Sequence, residues 1–179
     1  TSTAAAAAEL LESDIAQAAV AASAITDHYK LKVLAKNIGD NKHAQTRFIQ
    51  IGLAGELPKR TDSDKTSVIV ELPSDRPGGL LEMLEQFATR GVNLSLLESR
   101  PIGDALGRYR FVIDLDGHVE DERVADALLG LKRFSPRVQF LGSYRRADGH
   151  TPHVIEQNSD ATFVDARSWL ARLVAGEEV

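Results

Sequence analysis

There is no cysteine among these 179 residues. Disulfides and thiolate metal sites are therefore excluded, and a reducing cytoplasm is the natural compartment. Long apolar runs are missing as well, since no stretch approaches the roughly 20 residues needed to span a bilayer. The alanine run at residues 4–8 has no basic segment before it and no long apolar stretch after it, so it is not a secretion signal. A basic excess is also lacking. With 21 Lys and Arg against 26 Asp and Glu, the net charge is −5, which argues against nucleic acid or an anionic membrane surface as the main partner. Methionine is nearly absent. Met83 is the only one, and the chain opens on Thr1-Ser2-Thr3 and a helix, so the expectation is a piece of a longer chain.

What remains is ordinary globular material, 43% apolar and 26% charged. Ser2 or Thr3 is placed to cap a first helix running to Glu12, rich in Ala, Glu and Leu. Residues 17–23 read as a small-residue strand or a buried turn, residues 24–29 as a weaker helix, and residues 31–34 and 46–51 as strands. Leu10 and Leu11 are the only large apolar residues of the first helix, so residues 1–57 read as half a domain. Residues 58–65 close a Gly-, Pro- and charge-bearing stretch and are the expected linker.

The next 80 or so residues are more regular. A strand at 66–72, a helix at 79–90, strands at 92–96 and 109–114, a helix at 121–134 and a strand at 138–143 follow in order. That order is βαββαβ, a ferredoxin-like unit with two helices on one face of an antiparallel sheet, expected over residues 66–147. The sequence Gly103-Asp104-Ala105-Leu106-Gly107 lacks the lysine and hydroxyl of a phosphate loop and reads as a hairpin. Residues 148–160 are polar and read as a mobile tail. An amphipathic helix at 162–175 follows, with Phe163, Ala166, Leu170 and Leu173 on one stripe, to complete a C-terminal part spanning 148–179. His150 and His153 lie in the polar tail without other ligands and carry no metal reading.

Several short peptides resemble one family, in order along the chain. Ser2-Thr3-Ala4 resembles the Ser-Thr segment opening a helix in prephenate dehydratases, and Thr46-Arg47-Phe48 resembles their Thr-Arg-Phe signature. Arg76-Pro77-Gly78-Gly79-Leu80-Leu81 is similar to the family's Pro-Gly-Ala-Leu loop, and Glu98-Ser99-Arg100-Pro101 to the Glu-Ser-Arg-Pro motif of its phenylalanine-binding ACT domain. Residues 114–121 and 141–144 also read like that domain. The resemblance implies a mixed fold, α/β then α+β: the C-terminal part of a periplasmic-binding-protein-like catalytic lobe, followed by the ACT domain. The first catalytic lobe is missing from this reading, so the piece alone is expected to be inactive. Two departures stand out: Ala44 where the family often has asparagine, and Gly79 where alanine is usual.

The resemblance also implies chemistry. Prephenate would become phenylpyruvate with loss of carbon dioxide and water, and no metal or organic cofactor is needed. Thr46 would hold the departing hydroxyl, in a positional role because a threonine is a poor acid. Arg47 offers a planar fork for a carboxylate or holds the loop, and Phe48 packs and sets that loop. Ser2 and Thr3 are helix caps or substrate contacts, and Ser23 lines the cleft. In the ACT domain Gly78 and Gly79 let backbone approach L-phenylalanine, Asn93 accepts from its ammonium, and Leu80, Leu94 and Leu97 surround its ring. Glu98, Ser99 and Arg100 lie at the same site, with Glu98 and Arg100 contacting each other or a partner subunit. The implied assembly is a homodimer or homotetramer. The competing expectation is an amino acid-binding or oligomerisation module without catalysis.

Overall fold

Val68 and Val70 are fully buried while Ile69 between them and Glu71 after them are not, the period-two signature of a strand with one face on a core. This is β1, Asp64–Glu71. It is the second-from-edge strand of a four-stranded antiparallel sheet in a computed structural model that describes residues 2–44, 46–103 and 108–177. The described residues fall into two compact units, divided after Leu53.

In the second unit, α2 (Gly79–Ala88), β2 (Leu94–Pro101), β3 (Tyr109–Asp116), α3 (Glu122–Phe134) and β4 (Arg137–Arg145) follow β1. Sheet order is β2-β3-β1-β4, with every neighbouring pair antiparallel. Register sets Val68 opposite Ile113 and Val70 opposite Phe111. Directly opposed residues share a face. Those side chains meet Met83 and Phe87 of α2 and Val124, Ala127 and Leu131 of α3 in one buried core. The expected βαββαβ unit is therefore present, with element ends shifted by one or two residues in most cases. On α2 Met83 and Phe87 are buried, whereas Leu80 is 40% exposed.

Local chemistry explains the helix ends. Gly91, at φ 65°, turns the chain after α2, and the Val92 N–H returns to the Phe87 carbonyl at 3.1 Å. Asp121 precedes α3 without capping it through its own side chain. The Glu122 N–H is satisfied instead by Asp160 Oδ1 at 2.9 Å. Asp160 opens α4 (Asp160–Val174), whose Ser159 cap accepts from the Thr162 N–H. Residues 148–159 do not hang free as composition suggested. The Ser63 hydroxyl donates to the His150 carbonyl at 2.8 Å, and the Asn158 side chain lies where a Cβ on Gly91 would fall. Side-chain-to-backbone bonds order a segment that has no apolar core of its own. The hairpin reading at 103–107 falls largely on residues 104–107, outside the described residues.

The first unit departs further from expectation. It contains α1 (Thr3–Glu9), shorter than the helix read to Glu12, and a 3-10 turn at Ser23–Asp27 in place of the second helix. The strands expected at 31–34 and 46–51 are absent, and residues 17–22 are irregular and mostly exposed. β-branched composition favours a strand only when a neighbour accepts its backbone hydrogen bonds. Among the described residues of this unit no such neighbour pairs with these stretches.

Candidate functional site

The loop expected to meet the amino acid lies where α2 begins. Gly78 holds a left-handed backbone, φ 83°, immediately before the helix, and an added Cβ there would meet nothing within 4 Å. Its role is therefore conformational. Gly79 differs: a Cβ would find only ordinary contacts, the nearest being the Ser74 carbonyl oxygen at 3.6 Å, so the alanine usual at this position is accommodated. Arg76 pairs with Glu82 at 2.5 Å across the first turn.

Strand register divides the remaining residues into two groups. Leu94 lies opposite Leu115, Leu97 opposite Ile113 and Ser99 opposite Phe111, so these three share the helix-bearing face of the sheet. Leu97 on β2 and Leu80 on α2 are each 40% exposed. Glu98 and Arg100 point to the other face. There they pair with each other at 2.7 Å, as one of the two sequence alternatives had it. Asn93 donates through Nδ2 to Asp116 Oδ2 at 2.7 Å, and its amide oxygen makes no hydrogen bond among the described residues.

Sequence reading missed what lies behind Asn93. The buried Asp116 carboxylate also receives Arg146 Nη1 at 2.5 Å, and Arg146 holds Asp148 through Nε and Nη2 at 2.8 and 2.7 Å. These hydrogen bonds and charges keep the Arg146 guanidinium pKa above its ordinary value and push the Asp148 carboxyl well below the usual range. Beside it, His118 Nδ1 accepts the Glu120 N–H at 3.2 Å, and its Nε2 lies 3.2 Å from the Pro58 carbonyl oxygen. The Thr66 hydroxyl joins the Gly117 carbonyl and Ser143. The stretch Asp114-Leu115-Asp116-Gly117-His118 carried a signal, two acids and a histidine closing a strand, but no partner within reach in sequence.

In the first unit, the Ser2 hydroxyl caps α1, accepting the Ala5 N–H at 3.1 Å. Thr3 lines a hollow of about 180 Å³ with Ala4, Ala21, Ala22, Ala24, Ile25 and His28. Ser23 sits between lining residues without being one, and its carbonyl accepts the Thr26 hydroxyl at 2.9 Å. Thr46, Arg47 and Phe48 are exposed on irregular backbone, Phe48 at 89%, and do not line that hollow. Among the described residues no helix is long and apolar enough to cross a membrane.

Two family models match the chain, "Prephenate dehydratase" over residues 1–55 and "ACT domain" over residues 66–133. A prephenate dehydratase of Amycolatopsis methanolica is 43% identical over 175 residues, covering 97% of this chain and 57% of the relative. One from Mycolicibacterium gilvum is 40% identical, covering 90% of this chain and 50% of the relative. The chain thus spans about half the length of the curated relatives it matches. Among solved structures, prephenate dehydratase from Arthrobacter aurescens in complex with L-Phe is 56% identical with a TM-score of 0.66, over 68% of this chain and 40% of that one. Two matches in the expected order, and relatives of one name across nearly the whole sequence, show a segment similar to prephenate dehydratases followed by an ACT domain.

Proposed function

We propose that the whole protein to which these residues belong converts prephenate to phenylpyruvate, carbon dioxide and water, and that L-phenylalanine regulates it through the ACT domain. The reaction breaks the ring carbon–carboxylate bond, and its electron pair enters the ring. The ring C–O bond then breaks, and hydroxide leaves with a proton as water. Aromatisation drives the step. The protein's task is to hold two carboxylates and assist the departing oxygen. Arg47 suits a carboxylate by its planar fork. Thr46, exposed on its irregular segment, suits a hydrogen bond to the leaving hydroxyl, with the proton relayed. Ser2 and Thr3 at the α1 N-terminus are the candidates for the anionic end of the substrate, and Ser23 for the cleft wall.

One observation carries the regulatory half: a 56% identical structure is in complex with L-Phe. Leu80, Leu94 and Leu97, none of them fully buried, suit the ring, and Gly78, Gly79 and Asn93 offer backbone and amide groups for the amino acid end. Glu98 and Arg100, on the other sheet face, suit a contact with another subunit of a homodimer or homotetramer, and Ser99 the ligand side. The effector shifts activity only by binding one arrangement better than another.

The test is prephenate turnover by the full-length protein, with and without L-phenylalanine. Turnover that responds to L-phenylalanine is expected, with kcat lowered about 100-fold or more in Thr46→Ala. Activity untouched by that substitution removes the Thr46 role. A melting temperature raised by L-phenylalanine without any turnover leaves an amino acid-binding module instead.

A further inference from the structure

The segment joining the enzyme part to the sensor has the composition of a flexible tether, Leu57-Pro58-Lys59-Arg60-Thr61-Asp62-Ser63. Its structure is the opposite. The Pro58 carbonyl meets the His118 ring at 3.2 Å. Arg60 Nε reaches Asp121 Oδ1 and its Nη2 reaches Asp160 Oδ2, both at 2.6 Å. The Thr61 N–H and hydroxyl both donate to the Asp64 carboxylate, at 2.5 and 2.8 Å. Ser63 accepts the Arg146 N–H through its carbonyl and donates its hydroxyl to the His150 carbonyl.

Arg60 is the centre of this arrangement. One guanidinium joins the linker to the residue before α3 and to the first residue of α4. Each acid is itself fixed. Asp121 Oδ2 accepts the His118 N–H at 3.1 Å and lies 3.3 Å from Arg123 Nη2. Asp160 Oδ1 takes the Glu122 N–H, and Arg167 of α4 pairs with Glu122. Burial works against the Arg60 charge, but the hydrogen bond to Asp160 and the nearby carboxylates outweigh it and raise its pKa. A planar fork can serve two carboxylates at fixed angles, whereas a lysine ammonium on its single stem cannot do so as well.

We propose that Arg60 is a positioning residue that makes the linker a stiff extension of the ACT domain, with the C-terminal segment acting through Asp160 as one jaw of the clamp. A change in the sensor is thereby passed to the enzyme part through residues 58–63. This functional arm rests on the regulatory reading above.

Hydrogen exchange across residues 58–63 of the full-length protein tests the clamp. Arg60 is 43% exposed, so each ion pair alone is modest. Asp160→Asn is expected to speed linker exchange about 2–5-fold, Arg60→Ala by about 5–20-fold, and Arg60→Lys by an intermediate amount. Equal exchange in wild type and all three variants overturns the clamp. Prephenate kinetics test the coupling: Arg60→Ala keeps kcat and KM without effector, while the L-phenylalanine response shrinks. A full response in a variant whose linker exchanges faster overturns the coupling role. A wild-type enzyme indifferent to L-phenylalanine sinks the regulatory reading, and the exchange data still decide whether the clamp exists.

Discussion

Gly117→Ala probes the turn on which the clamp is built. Gly117 has φ 127°, a region that costs a non-glycine residue about 1–3 kcal/mol. Space is also lacking. An added Cβ would lie 2.5 Å from Asp121 Oδ2, 2.7 Å from Arg123 Nη2 and 2.9 Å from Val124 Cγ2. Val124 belongs to the core and cannot yield cheaply. The Asp121 carboxylate is then driven from the His118 N–H, a charged hydrogen bond of about 1.5–3 kcal/mol. Together these give a loss of about 3–5 kcal/mol, or a melting point roughly 10–20 °C lower for a domain of this size. Gly149→Ala is the control. Its φ is 64°, yet an added Cβ would meet nothing within 4 Å, so only backbone strain of about 1–2 kcal/mol is expected. Thermal unfolding of the two variants, followed by circular dichroism, measures the difference. If Gly117→Ala lies within about 1 kcal/mol of Gly149→Ala, the packing of this turn does not constrain it and the reasoning fails.

Ile113→Ala removes a fully buried side chain from the centre of β3. It should cost about 2–5 kcal/mol, seen as a lower urea midpoint at unchanged slope. Asp148 accepts hydrogen bonds from Arg146 and from the His150 N–H, which depress its folded pKa below the unfolded value. Stability from this pair is therefore present above the ordinary aspartate pKa of about 3.9 and is lost as pH falls further. Asp148→Asn should melt below wild type at neutral pH, with the gap closing on acidification below about pH 3; a gap independent of pH refutes the assignment. Ser67→Ala strips one partner each from buried Asp114 and from the Tyr144 hydroxyl, at 2.6 and 2.7 Å. A loss of about 1–3 kcal/mol in chemical denaturation is expected.

The amino acid order alone was enough for the element order of the ACT domain. Its helices and strands each carry their own periodicity, as in Val68 and Val70 or Met83 and Phe87, and local pattern agrees with tertiary need. Short peptides such as Glu98-Ser99-Arg100-Pro101 pointed to the family without geometry. The same order misled in the first unit, where residues 46–51 have strand composition but no pairing neighbour among the described residues. It was also blind to contacts between residues far apart. Nothing near Arg60 in sequence announces Asp160, one hundred positions away. Only the register showed that Leu97, and not Glu98, lies on the helix-bearing face of the sheet. Periodicity is a property of neighbours along the chain and survives in the bare sequence. Charge pairing across a fold depends on where the backbone carries each group, and that is settled only when the tertiary structure closes.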